Sequence, residues 1–237
     1  MTGPGASGPL AGLSIVMPVL EEAAGIEATL ASLQAWREAG VEVVVVDGGS
    51  CDETPALAAP LADRVLRAPR GRAAQMNAGA RVATGRLLLF LHADTALPAQ
   101  AMSALDRVLA GSSPGWGRFD VAIDGQHWVL PIVAGLMNLR SGLTGITTGD
   151  QAMFVSRPLF VRAGGFPEIP LMEDIELARA LRAYAWPLRL RVKARTSGRR
   201  WEQRGPLRTV LLMWALRLLH YAGVDPARLA RWYAAVR

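Results

Sequence analysis

The sequence predicts an α/β fold in which a mixed, mostly parallel sheet is flanked by helices and followed by further C-terminal helices. Two observations lead to this prediction. Apolar segments alternate with segments of helical periodicity through the first hundred residues, which is typical of successive βαβ units. The segment 87–91, within RLLLFLHADT, contains no polar residue and therefore fits a strand buried on both faces.

The first βαβ unit has the clearest pattern. Residues 13–19 (LSIVMPV) predict a strand, and residues 41–46 predict a second one. Between them, Leu30, Leu33 and Trp36 recur at helical spacing and predict a helix over 26–36. The following elements are expected to be a helix over 52–61, a strand over 64–66 and a helix over 70–83.

The second half has a looser pattern. It predicts a helix over 99–109, a strand over 116–123, an apolar helix over 127–139 interrupted by Pro131, a strand over 149–156, a helix over 172–183 and a strand over 188–194. We expect a flexible leader over 1–12, one domain over 13–205 and an amphipathic helical appendage over 206–237. Its two basic helices either pack on the domain, which we expect, or lie on anionic lipid.

Composition narrows the function classes. The 237 residues are 51% hydrophobic and 19% charged, which indicates a globular chain. A net charge of +6 favours an anionic partner, although a GC-rich genome would give the same bias.

Cys51 is the only cysteine, so an internal disulfide is excluded. With neither a signal peptide nor an apolar run long enough to span a bilayer, the sequence predicts a cytoplasmic protein, with peripheral contact at the inner membrane left open.

Charged residues follow the predicted strands. Asp47 and Asp94 come directly after apolar runs, so both belong at the carboxyl edge of the sheet, where α/β proteins bind ligands. Asp94 suits a divalent cation held against a phosphate, and capping of the next turn is the alternative. Arg70 and Arg72 open a helix, where cations oppose the helix dipole unless an anion binds between them.

Five segments together resemble a known family. They are SIVMPVLEE, VVVVDGGSCDET, GRAAQMNAGARVATGRLLLFLHADT, GDQAMF and MEDIEL. Their order and spacing over residues 13–185 are similar to family 2 glycosyltransferases with the GT-A fold, in a bacterial subgroup that has HADT where relatives have Asp-x-Asp. The resemblance implies a Rossmann-like sheet and a nucleoside-diphosphate sugar donor. The acceptor is unknown.

The resemblance also assigns site residues. Those implied to bind the donor are Pro18, Glu22, Asp47, Asp52, Arg72, Asn77, His92 and Asp94. Asp94 would hold Mn²⁺ or Mg²⁺, and His92 stands where the first Asp of the family motif would be. A neutral imidazole suits softer cations better than Mg²⁺, so Mn²⁺ is favoured.

The resemblance implies a metal-assisted transfer of the sugar to an acceptor hydroxyl, with inversion of configuration at the anomeric carbon. Asp174 would act as general base, with Glu173 beside it. Asp150 and Gln151 would lie near the acceptor. The residues Arg199, Arg200 and Trp201 are expected either to close on the diphosphate or to be a solvated charge run.

Two other functions are weighed against this one. A nucleotidyltransferase would need a Gly-rich loop with a lysine after the first strand, which PVLEEAAG does not offer. A non-catalytic nucleotide-sugar-binding or membrane-associated scaffold is conceivable because of His92, but it would need neither Asp94 nor Asp174. Nucleic acid is not expected as a partner, because only Trp201 places an aromatic ring among the basic residues.

Overall fold

The structure of the chain, a computed structural model, describes residues 8, 10–111, 115–199 and 205–235. The strands are β1 Leu13–Val19, β2 Glu42–Asp47, β3 Arg64–Arg67, β4 Leu87–Phe90, β5 Thr95–Ala96, β6 Trp116–Asp124, β7 Phe154–Ser156 and β8 Leu188–Ser197. The helices are α1 Ile26–Ser32, α2 Gln34–Glu38, α3 Thr54–Ala58, α4 Arg72–Val82, α5 Gln100–Ala110, α6 Leu130–Thr144, α7 Arg157–Arg162, α8 Glu173–Arg182, α9 Pro206–Tyr221 and α10 Pro226–Ala235.

The sheet is mixed and mostly parallel, which confirms the predicted fold class. Its strand order is β3-β2-β1-β4-β7-β6-β8-β5. The first four strands in that order are parallel, and β7 runs antiparallel to both β4 and β6. Because β2, β1 and β4 run in the same direction, the loops after their carboxyl ends meet at one edge of the sheet.

Two hydrophobic cores cover the two faces of the sheet. In β1, Ile15 and Met17 belong to one core, whereas Val16 between them belongs to the other. This alternation explains why the strand is apolar throughout: both of its faces are buried. Helices α1, α2 and α5 cover the first core, and α4, α8, α9 and α10 cover the second.

Three predicted elements differ in detail. The helix over 26–36 is divided at Leu33 into α1 and α2. Pro131 does not interrupt α6, because it lies in the first turn, where its missing N–H costs no hydrogen bond. The predicted strand over 149–156 begins as a 3-10 helix, Gly149–Gln151, since Thr148 and Gln151 form a capping box there.

The C-terminal helices pack on the domain. Leu216 of α9 and Leu229 of α10 are buried in the second core. Within the ranges that the structure describes, no helix combines the length and the apolar character needed to cross a membrane. One side of α9 nevertheless leaves Leu211, Trp214 and Leu218 exposed.

Gly79 allows α4 to lie directly on the sheet. A Cβ atom at this position would lie 2.4 Å from Cγ1 of Val16 and 2.9 Å from Cγ2 of Val46. Alanine would add about 1 kcal/mol of helix propensity, but overpacking costs about 1–3 kcal/mol. We expect Gly79→Ala to lower the free energy of unfolding by up to about 2 kcal/mol, measured by urea denaturation.

Gly135 of α6 provides the matched control. A Cβ atom there would meet no other atom within 4 Å. Gly135→Ala should therefore raise the free energy of unfolding, by about 0.5–1 kcal/mol. Stabilisation by both substitutions would contradict the close contact between α4 and the sheet.

Candidate active site

Asp47 is the last residue of β2 and Asp94 follows β4, so both lie at the carboxyl ends of strands, as the sequence predicts. Asp47 is 4% exposed. Its carboxylate accepts the backbone N–H groups of Gly49 and Ser50, each at 3.0 Å, and the Ser50 hydroxyl at 2.5 Å. Asp47 therefore fixes the loop after β2, and its contact with a nucleotide base stays a prediction.

The loops after β1 and β2 are bound to each other. Beyond the buried Pro18 of β1, the backbone N–H of Glu22 donates to Oγ1 of Thr54 (2.8 Å), and that of Ala23 donates to Oδ2 of Asp52 (3.1 Å). The Thr54 hydroxyl donates to Oδ1 of Asp52 (2.6 Å) and lowers the pKa of this carboxyl. Asp52 thus acts within the structure as a link between the two loops.

Arg72, the first residue of α4, stands beside three carboxylates. Its Nε lies 3.1 Å from Oε1 of Glu173, in the first turn of α8. Desolvation lowers the pKa of Arg72, but attraction to Glu173, Asp174 and Asp150 outweighs it, so the pKa lies above its ordinary value. The guanidinium is therefore always charged, and with 44% of its side chain exposed it remains accessible.

Glu173 is buried, with 3% of the residue exposed. Burial raises its pKa; Arg72 opposes this rise and Asp174 adds to it. The preceding Met172 has a left-handed backbone (φ 71°), which is costly for a residue other than glycine and is concentrated at functional loops. The turn into α8 is therefore held in place by its surroundings.

Asp174 connects α8 to the loop after α6. Its Oδ2 accepts the backbone N–H of Gly149 (2.8 Å), and its Oδ1 accepts that of Ile175 (2.7 Å). Each carboxylate oxygen has a second lone pair, so the group keeps capacity to accept a proton. The two bonds fix its orientation in the half-buried site.

His92 packs against the same loop. A Cβ atom at position 149 would lie 2.3 Å from Cε1 of His92, so only glycine fits beside the ring. Nδ1 of His92 lies 3.8 Å from Oδ1 of Asp150, too far for a hydrogen bond. Burial lowers the pKa of His92 and the charge of Arg72 lowers it further, against the opposing effect of Asp150 and Asp94. The imidazole is therefore neutral at pH 7.

Two other predicted contact residues hold loops in place. Gln151 is fully buried, and its Oε1 accepts the Ser141 hydroxyl (2.8 Å), so it holds the loop before β7, and its place near the acceptor stays a prediction. The Asn77 side chain donates to the backbone carbonyl of Phe166 (2.8 Å) and accepts its N–H (3.0 Å). Asn77 thereby ties α4 to the segment before α8, and its contact with a donor stays a prediction.

A cavity of about 290 Å³ is lined by three of the predicted site residues and by side chains of α6 and α9. Glu22, Asp94 and Asp150 line its acidic part. Apolar side chains of α6 and α9 form much of the rest, namely Val133, Leu136, Met137, Val210, Leu212, Met213 and Trp214. Of the predicted diphosphate loop, Arg199 is exposed and lines the cavity, whereas Arg200 and Trp201 lie outside the described residues.

Asp94 is suited to hold a divalent cation. Its carboxylate is exposed, faces the cavity and accepts the Thr95 hydroxyl at 3.3 Å. Among the described residues, no three His, Cys, Asp or Glu side chains form a group that could hold a metal ion. Mg²⁺ is commonly bound by one or two carboxylates together with substrate phosphates. The site therefore fits a cation that arrives with a diphosphate.

Sequence reasoning missed two residues of this cavity, Arg140 of α6 and Arg217 of α9. Arg140 is the single charge of α6, and Arg217 is a charge within the apolar second half of α9. Such an isolated charge is costly to bury and is the signal by which both could have been found.

Comparison of the sequence with known proteins shows a similarity over part of the chain. Residues 14–109 match the family model of glycosyl transferase family 2. Over 91 residues the chain is 42% identical to a PGL/p-HBAD biosynthesis glycosyltransferase of Mycobacterium bovis, which covers 35% of this chain and 36% of that protein. The chain thus spans about a third of the length of the curated relatives that it matches.

Solved structures share the fold over most of the chain. The mannosyltransferase PcManGT of Pyrobaculum calidifontis, in complex with GDP-Man and Mn²⁺, has a TM-score of 0.60 at 24% identity, covering 79% of this chain and 58% of that one. TarS 1–349 of S. aureus, in complex with UDP-GlcNAc, has a TM-score of 0.63 at 18% identity, covering 78% and 58%. The chain therefore shares the GT-A fold of these neighbours, and its residues 14–109 are similar to glycosyl transferase family 2.

Proposed function

We propose that this chain is an inverting glycosyltransferase that moves a sugar from a nucleoside-diphosphate sugar to an acceptor hydroxyl. The observation that carries the proposal is the group of Glu173, Asp174 and Asp150 around the charged Arg72. Asp94 joins this group beside His92, at the carboxyl edge of the parallel strands. The relative named above is a glycosyltransferase and PcManGT is a mannosyltransferase, and the two structural neighbours are complexes with GDP-Man and UDP-GlcNAc.

The donor's diphosphate is assigned to Arg72. As the glycosidic bond breaks, the leaving nucleoside diphosphate gains negative charge, and a fixed guanidinium stabilises that charge more than it stabilises the ground state. Arg72 suits this role because it is charged, accessible and held by Glu173. Glu22 and Asp47 are assigned to the nucleoside, at the two loops beside β1 and β2.

Asp94 would hold Mn²⁺ or Mg²⁺ together with the donor's diphosphate. Such a cation, when bound, supplies further positive charge to the leaving group. The neutral His92 stands two residues before Asp94 and brings an imidazole in place of a hard carboxylate, which favours Mn²⁺ of the two.

Asp174 is assigned the proton of the acceptor hydroxyl. The hydroxyl oxygen attacks the anomeric carbon from the side opposite to the leaving diphosphate, so one displacement inverts the configuration. The bonds from Gly149 and Ile175 hold the carboxylate in one orientation during this step. Asp150 lines the cavity next to this group and is assigned to the acceptor side.

Binding of nucleoside diphosphates tests the proposal. We expect UDP or GDP with Mn²⁺ to raise the melting temperature, because a ligand bound only by the folded state stabilises it. In Asp94→Asn, the part of the shift that requires Mn²⁺ should disappear, while the folded protein keeps its own melting temperature.

Asp106→Asn is the matched control, since Asp106 lies on α5, away from the cavity lining. It should keep the full Mn²⁺-dependent shift. The proposal fails if no nucleoside diphosphate shifts the melting temperature of the unchanged protein with either cation.

A further inference from the structure

Two stripes of large apolar side chains lie exposed on neighbouring helices. The first stripe follows α6 at spacings of three and four residues, with exposures of 52–74%: Trp128, Ile132, Leu136, Leu139 and Leu143. The second follows α9 in the same way, with exposures of 53–70%: Leu211, Trp214, Leu218 and Tyr221. Such spacing places each set on one face of its helix.

These stripes are not the faces by which the helices are anchored. Helix α6 is fastened to the domain by Leu130 and Val133, which are buried, and by Asn138, whose side chain bonds both backbone groups of Val121. Helix α9 is fastened by Leu216. Both helices are therefore apolar on two sides, and folding accounts for only one of them.

The two stripes meet at the cavity of the active site. Leu136 of the first stripe and Trp214 of the second both line it, and so do Asp94 and Asp150. Val210 of α9 also packs against the hydrophobic cluster to which Leu130 and Val133 of α6 belong, so the two helices share this cluster beside the cavity. The apolar face and the acidic part of the site are thus continuous.

Two arginines of the same cavity have buried nitrogen atoms without a hydrogen-bond partner among the described residues. Arg140 and Arg217 line the cavity, and Nε and Nη2 of Arg140 and Nε of Arg217 are buried without a hydrogen-bond partner among the described residues. Desolvation and the charge of Arg217 lower the pKa of Arg140 to about 10, so it remains charged at neutral pH. Two half-buried cations that face a cavity, with buried nitrogen atoms that lack a hydrogen-bond partner, suit an anionic group.

We propose that the α6–α9 face rests on an anionic lipid surface, and that the cavity receives from it an amphiphilic acceptor with a phosphate-type head. The head meets Arg140 and Arg217, while the apolar tail leaves between Leu136 and Trp214 towards the lipid. This inference rests on the proposed function for the donor end of the cavity, and it names the acceptor class of that site.

Charge favours a lipid surface over a second copy of the chain. Residues 125–149 contain no Asp or Glu, and residues 205–235 contain four arginines and one carboxylate, Asp225. A twofold dimer through this face would bring the same positive charges together, whereas an anionic membrane complements them. The tryptophans of the stripes are residues that prefer the membrane interface.

Vesicle binding tests the surface. The full chain should sediment with phosphatidylcholine vesicles that contain phosphatidylglycerol, less with phosphatidylcholine alone, and less at high salt. Trp214→Ser/Leu218→Ser should weaken vesicle binding by at least about tenfold, since each side chain contributes by burial of apolar area. Val161→Ser/Tyr184→Ser, at positions of similar exposure on α7 and after α8, should bind as the unchanged chain does.

Equal vesicle binding by the two double variants would overturn the proposal that the α6–α9 face rests on a lipid surface. So would a concentration-dependent dimer, seen by light scattering, that Trp214→Ser/Leu218→Ser abolishes, because the face would then be occupied by a second copy.

Alkyl phosphate tests the cavity. Decyl phosphate should raise the melting temperature of the chain more than decanol or inorganic phosphate does, and Arg140→Met/Arg217→Met should remove most of the difference. Equal shifts by decyl phosphate in this variant and in the unchanged chain would overturn the acceptor class. Binding of UDP or GDP with Mn²⁺, measured on the same samples, reports separately on the proposed function.

Discussion

Asp174→Asn is expected to lower the rate of sugar transfer by about 10²–10⁴-fold, the range that a general base contributes. The amide cannot take up the proton of the acceptor hydroxyl. Donor binding should be nearly unchanged, because Asp174 acts on the acceptor and Arg72 carries the assigned contact with the diphosphate. Transfer rates at saturating donor, together with the dissociation constant of the nucleoside diphosphate, measure the two effects.

The substitution at Asp174 also removes a hydrogen bond that holds the local backbone in place. Both of its oxygens accept backbone N–H groups, whereas an asparagine side chain has only one oxygen. The melting temperature of the variant must therefore be measured alongside its rate. Asp150→Asn is the comparison, since Asp150 lines the cavity, follows the Gly149 whose N–H bonds Asp174, and has no such backbone bonds among the described residues. A larger loss of rate in Asp150→Asn than in Asp174→Asn would assign the base to Asp150.

The first half of the fold could be predicted because its signals are local. Strand β4 is buried on both faces and shows it as an unbroken apolar run, and Gly85 marks the boundary before it. Strand β5 has two residues and pairs with β8 a hundred positions later, so it leaves no periodic pattern. Local patterns therefore predicted the parallel strands and not the pairings between distant segments.

Prediction of the site was limited in the same way. Asp94 and Asp174 could be predicted as site residues, because they lie within the short segments HADT and MEDIEL, which resemble the family. The ion pair of Arg72 with Glu173 joins two helix starts a hundred residues apart, and no single-sequence pattern indicates it. The burial of Gln151 was not predicted, because GDQAMF has the pattern of a strand, whereas the Thr148 capping box bends it into a 3-10 turn that buries the side chain.

Arg72→Ala is expected to lower the rate of transfer by about 10²–10³-fold, as loss of one fixed charge at a developing anion does. It should also destabilise the fold, because Glu173 is left buried without its cation. Since Arg72 is partly exposed, we expect this cost to be about 1–3 kcal/mol at neutral pH. Arg70→Ala, which removes an exposed arginine two residues earlier, should change both quantities little.

The cost of Arg72→Ala should depend on pH in a definite direction. Burial already raises the pKa of Glu173 in the folded chain, and removal of Arg72 raises it further. Between the unfolded and folded pKa values the folded state binds more protons, so stability falls as pH rises through that window. The deficit of the variant should therefore be small in acid and complete above the folded pKa, as measured by urea denaturation across this range.

The double variant Arg72→Ala/Glu173→Gln separates the two roles of the arginine. A neutral glutamine needs no cation, so the stability of the double variant should return towards that of the unchanged protein and lose the added dependence on pH. Its transfer rate should stay as low as that of Arg72→Ala, because the donor's diphosphate still lacks the guanidinium. Recovery of the rate together with the stability would mean that Arg72 acts by holding Glu173 in place, and that another group stabilises the leaving diphosphate.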